Sequence, residues 1–129
     1  MPPDNAATVG AGTSISFPRA GAASGTDIVQ SNSTTFTLAA AGIYLVTFQV
    51  SVTEAAQLVL TQNGVELAQS VVGRATGTSQ IFGTSMVTAA AGDSLQVNNP
   101  AGESTALTIT PLAGGTDPVS AHLTILRLR

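Results

Sequence analysis

Tyr44-Leu45-Val46-Thr47-Phe48-Gln49-Val50-Ser51-Val52-Thr53 decides the fold class. Tyr44, Val46, Phe48, Val50 and Val52 alternate with Leu45, Thr47, Gln49, Ser51 and Thr53. That is five consecutive matches to a period of two, with aromatic and β-branched residues on the side to be buried. The end of the chain repeats the pattern: Val119, Ala121, Leu123 and Ile125 alternate with Ser120, His122, Thr124 and Leu126. Shorter strands are predicted at Ser14–Phe17, Asp27–Gln30, Thr34–Leu38, Gln57–Gln62, Val65–Val71, Gln80–Thr88, Ser94–Val97 and Thr105–Thr110. Each is bounded by Gly, Pro, Asn, Asp or Ser.

Ala55 to Val72, rich in Ala, Leu and Gln, competes as a helix. Asn63-Gly64 stands in its middle with Leu58 and Leu60 before it and Val65 and Leu67 after. A two-residue hairpin turn needs positive φ at both positions, which Asn-Gly supplies, so the stretch reads as two strands. Regular short strands with turns between them argue for an all-β sandwich or barrel.

The chain has 129 residues, one domain's length, and no linker or internal repeat divides it. Leu, Ile, Val and Phe fill about a quarter of it, enough for a packed core. Charged residues are 9% of the total, the net charge is −3, and there is no Lys. Arg19, Arg74, Arg127 and Arg129 form no basic stripe, which argues against nucleic acid as a partner. With zero Cys, the disulfide framework, the zinc knuckle and the thiol nucleophile are all excluded. The longest apolar run, Leu38 to Val46, is too short to span a bilayer, and the opening Met1-Pro2-Pro3-Asp4 does not read as a signal peptide. Residues 1–12 read as a flexible tail or the end of a stalk, and 13–129 as the domain.

Catalytic patterns are weak. Val9-Gly10-Ala11-Gly12 begins like a dinucleotide-binding fingerprint but lacks the third Gly and a following helix. His122 is the single His, and no Ser stands in a Gly-x-Ser-x-Gly context. The seven acids are scattered singly, without the clustering that a carboxylate pair or a calcium loop needs. Asn32-Ser33-Thr34 has the form of a glycosylation acceptor but reads as a polar turn. No catalytic, cofactor or metal residue is predicted.

Phe36, five residues, then Gly42-Ile43-Tyr44-Leu45-Val46-Thr47-Phe48 resembles the signature of the globular head family of complement component one, subcomponent q, related to the tumour necrosis factor ligands. Four of its five fixed positions match; Val46 replaces the middle Phe, Val29 stands where an aromatic or Leu is usual, and the C-terminal aromatic motif is replaced by Ala121-His122-Leu123-Thr124-Ile125. Asn63-Gly64, Ala91-Gly92-Asp93-Ser94-Leu95 and the closing Leu123-Thr124-Ile125 look more like the bacterial branch, the C-terminal domains of collagen-like spore-surface glycoproteins of the BclA type.

Pattern and resemblance together predict a ten-strand antiparallel jelly-roll sandwich, tumour necrosis factor-like, that assembles as a homotrimer. Phe36, Gly42, Tyr44 and Phe48 are its expected core signature, with Gly42 ending a turn where a side chain would obstruct the strand. The outward set Leu45, Phe82, Met86, Leu126 and Leu128 is more apolar than a free surface needs and marks the expected trimer interface. By the resemblance, the final strand looks towards the threefold axis, which adds His122. The function implied is structural and extracellular: a head that nucleates and caps a collagen-like stalk N-terminal to it on a spore or cell surface. The alternative is an adhesin or phage receptor-binding head recognising a glycan or host surface protein; neither needs membrane insertion.

Overall fold

The computed structural model describes residues 8–77, 80–118 and 121–129. Within them the chain is all-β, and the one helical element is a short 3-10 turn at Ala68–Ser70. The strands are β1 Thr8–Val9, β2 Ile28–Gln30, β3 Phe36–Leu38, β4 Gly42–Val50, β5 Ala56–Gln62, β6 Val65–Glu66, β7 Val72–Arg74, β8 Ile81–Ala89, β9 Asp93–Asn98, β10 Leu107–Thr108 and β11 Ala121–Arg127. All their pairings are antiparallel.

One sheet has the order β11-β4-β8; the larger has the order β2-β3-β9-β5-β6, with β7 also on β5; β1 and β10 form a small pair. From β3 to β4, β4 to β5 and β8 to β9, the chain crosses from one sheet to the other. This crossing order is consistent with a jelly roll.

The period of two explains the core. Tyr44, Val46, Phe48 and Val50 on β4 are all buried, as is Val52 just beyond it. They belong to one apolar cluster with Leu38, Leu58, Leu60, Leu95 and Val97 of the larger sheet and Ile81 and Val87 of β8. Phe36 is half-buried and packs on the cluster, its ring edge-on to that of Phe17 at 6.2 Å between centroids. The Tyr44 hydroxyl donates to the carbonyl of Ala40 at 2.6 Å, so the one Tyr both fills the core and ties down the turn before its own strand.

Two glycines are dictated by close approach. A Cβ at Gly42 would collide with the carbonyl oxygen of Arg129. The crowding therefore comes from the end of the chain lying across β4, not from the turn before it. A Cβ at Gly83 would stand 2.5 Å from Cζ of Phe48, its register partner across the sheet. Asn63 at φ 52° and Gly64 at φ 81° form the expected hairpin turn between β5 and β6.

Three departures from the sequence pattern turn ten expected strands into eleven. Ser14–Phe17 is not a strand: Ile15 donates to Val97 and Phe17 to Ser33, so its amides serve two different segments. Its apolar residues are nonetheless core. Val65–Val71 is broken into β6, the 3-10 turn and the approach to β7. Ser70 breaks it, because its hydroxyl accepts from the amide of Leu60 at 2.8 Å and donates to the carbonyl of Leu67 at 2.7 Å, replacing the ladder. Finally, Thr8–Val9, expected in the tail, pairs with Leu107–Thr108. Val9 is buried in the core, and its carbonyl accepts from Asn99 Nδ2 at 3.1 Å. The described fold thus already includes residues 8–12; the rest of the expected tail, residues 1–7, lies outside the described residues, as do Val119 and Ser120 of the last predicted strand. The strand expected at Thr105–Thr110 is reduced to Leu107–Thr108, with an isolated bridge from Ile109 to Val52.

Candidate interface on the three-stranded sheet

The register of β11, β4 and β8 places the interface candidates in rows across one face. Leu126 pairs with Leu45, and Leu45 with Met86. Two residues along, Thr124 pairs with Thr47 and Thr47 with Thr84; two further, His122 pairs with Gln49 and Gln49 with Phe82. At the other end Ile43 pairs with Thr88, and the Leu128 amide donates to the Ile43 carbonyl at 2.8 Å. Because the buried set of β4 faces the larger sheet, these rows face away from it.

The face is therefore banded: an apolar band at Leu126, Leu45 and Met86, widened by Ile43 and Leu128; a threonine band; then the row of His122, Gln49 and Phe82. Phe82 is 59% exposed, Met86 54%, Leu126 54% and Leu128 48%, among the most exposed large apolar side chains described. Leu45 is half-buried and His122 exposed. In the threonine band Thr47 Oγ1 and Thr84 Oγ1 share a hydrogen bond at 3.1 Å, so part of the band is satisfied within the chain. None of the twelve residues in these rows is Asp, Glu, Lys or Arg. All six interface candidates of the sequence reading thus lie on one face. The interface candidates of the sequence reading did not include Ile43, Gln49, Thr47, Thr84, Thr88 or Thr124, although the same period of two assigns them to this face.

Phe36, Gly42, Tyr44 and Phe48 lie apart from this face: three contribute to the core and Gly42 supports the C-terminal segment. Among the described residues no three His, Cys, Asp or Glu stand close enough together to hold a metal ion, and no helix is long and apolar enough to cross a membrane. An open cleft beyond the end of β4, lined by Ser51, Thr53, Gln80 and Thr110, has no charged side chain among its described lining.

Two of the described carboxylates, Glu54 and Asp27, are tied down by neighbours from distant segments. Burial pushes the Glu54 carboxyl up, but the backbone amide of Thr108 at 2.7 Å and the hydroxyl of Thr53 at 2.7 Å outweigh it and hold the group below its usual range. Arg74 donates to the carbonyls of Val52 and Glu54, closing the same knot. Asp27 pairs with Arg127 at 2.9 Å.

A family model described as BclA C-terminal domain matches residues 4–129. No curated protein matches the chain.

Proposed function

The chain belongs to the BclA C-terminal domain family, and from that premise we propose that it is a non-enzymatic head domain that forms a homotrimer through its three-stranded sheet. The trimer nucleates and caps a collagen-like stalk that precedes it, at the surface of a spore or cell. The observation that carries this reading is the banded face. A half-apolar sheet surface without formal charge is poorly suited to water and is complementary to a second uncharged surface. A closed threefold ring buries one such face per copy and leaves no open contact. It also sets the three copies of Thr8 at one level along the threefold axis, the arrangement a three-chain stalk needs in order to zip in register.

Light scattering coupled to size exclusion tests the reading. Wild type is expected at three times the chain mass of 12.8 kDa. Met86→Glu, at one end of the apolar row and away from the core, is expected to run as a folded monomer. A wild-type monomer at micromolar concentration, or a Met86→Glu trimer as tight as wild type, overturns the interface.

A further inference from the structure

Asn63-Gly64 carries chemistry beyond turning the chain. In an Asn-Gly pair the glycine amide nitrogen can attack Cγ of the asparagine, because no side chain shields it. A C–N bond forms, Nδ2 departs as ammonia, and water then opens the succinimide ring to aspartate or isoaspartate. The step needs no other reactant, only a carboxamide free to swing onto the following backbone nitrogen.

Here the carboxamide is not free. Asn63 Nδ2 donates to Asp93 Oδ1 at 2.8 Å, and Asn63 Oδ1 accepts from the backbone amide of Ser94 at 2.9 Å. The Asn63 amide donates to the carbonyl of Ser94 at 3.0 Å, so the turn is docked on β9 by backbone as well as side chain. Asp93 is fixed in turn: its Oδ2 accepts from Gln62 Nε2 at 2.8 Å and from the amide of Ala90 at 2.9 Å. The side-chain amide of Asn63, the amide of Ala90 and the side chain of Gln62 together hold the Asp93 carboxyl below its usual range, which keeps it an ionised acceptor. Nothing lies within 4 Å of a Cβ built on Gly64, so water reaches the tip.

We propose that Asn63 is a fold-gated deamidation site: unreactive while the β5–β6 turn is docked on β9, reactive when it undocks, with Asp93 as the gate. The reaction is one-way in structure as well as chemistry. Its product carries a carboxylate where Nδ2 stood, facing the Asp93 carboxylate at hydrogen-bond distance, and like charges so placed repel. The isoaspartate product also adds a methylene to the backbone of a two-residue turn, which shifts its register. A turn that has reacted does not redock as before. This inference rests on neither the family nor the trimer.

Peptide mass mapping of Asn63 over days in mildly alkaline buffer tests it, with the native protein and the same chain in concentrated urea side by side. Reaction only from an opened turn predicts conversion at least about tenfold slower in the folded protein, the factor matching an opening cost of about 1.4 kcal/mol. Folded Asp93→Ala is expected to convert several-fold faster than folded wild type. Gln62→Ala, which loosens Asp93 without removing it, serves the same purpose if Asp93→Ala does not fold. Equal rates for folded and unfolded wild type, or no acceleration in a variant whose circular dichroism is native, overturn the gate.

Discussion

Gly83→Ala is expected to destabilise the domain, against the ordinary trend. Gly in a strand interior is worth about 0.5–1 kcal/mol less than Ala, so a generic strand position gains from this substitution. Gly83 has negative or extended φ and no backbone need for glycine. Its neighbours reverse the sign: the added methyl would stand 2.5 Å from Cζ and 2.9 Å from Cε1 of Phe48, and 3.0 Å from Cγ2 of Val72. The Phe48 ring is buried and has no solvent to move into. Overpacking of this kind costs about 1–3 kcal/mol, which exceeds the backbone gain. Phe48→Leu removes the ring atoms that collide, so the double variant should recover roughly 1 kcal/mol relative to additivity. Urea melts of the four proteins at one fixed protein concentration measure the cycle. A Gly83→Ala protein at least as stable as wild type would show that the ring does not lie over Gly83, and that the register Phe48↔Gly83 is wrong.

Phe48→Ala should cost roughly 3–5 kcal/mol through lost burial and the cavity left behind, whereas Thr47→Ala on the opposite face should cost about 1 kcal/mol with its bond to Thr84; equal losses in urea melts would refute the face assignment. Gly42→Ala should lower the melting temperature by expelling the C-terminal residues from β4, seen as loss of hydrogen-exchange protection at Ile43, whose amide donates to Arg129. Because Glu54 and Asp93 are both held below their usual ranges, their contribution is fully present above the unfolded values near pH 4 and is lost as pH falls through the lower folded ones. Glu54→Gln should flatten that acid limb of a pH–melting curve, and an unchanged limb would show that Glu54 contributes none of it.

What was legible in the sequence is what depends on periodicity or on φ. The face of β4 followed from five alternating residues, and the Asn63-Gly64 turn from the positive φ that few residue pairs tolerate. The outward set Leu45, Phe82, Met86, Leu126 and Leu128 followed from the same alternation, whereas His122 was added by the resemblance. What was illegible depends on partners remote in sequence. Thr8-Val9 has no pattern of its own and becomes a strand because Leu107-Thr108 offers it a ladder. Ser14–Phe17 has the right residues but bonds to two segments. β5 stands where a strand was expected, but Leu58, Val59, Leu60 and Thr61 are all buried, and that cover on both faces is what no alternation in the stretch announces. The break in Val65–Val71 hangs on one hydroxyl, that of Ser70, whose acceptor and donor roles no local pattern announces.

The topology also separates three tasks in space. β4 runs nine residues, roughly 27 Å at about 3.4 Å per residue, and its two ends belong to different parts of the chain. Beyond Val50, the Thr53 amide donates to the carbonyl of Thr108, the register partner of Thr8, so the described chain starts at that end. At the Gly42 end lie Arg129, bonded to the Ile43 amide, and the Asn63 turn, whose neighbour Gln62 donates from Nε2 to the carbonyl of Thr88, the residue opposite Ile43. On the proposed reading, a stalk reaching Thr8 approaches at the Val50 end, the trimer forms along the side through the banded face, and Asn63 and Arg129 stand at the opposite end of β4. Deamidation at Asn63 would then alter the outermost turn of the head while leaving the rows from Leu126 to Phe82 untouched, so an intact trimer carrying a modified tip is the species this arrangement permits.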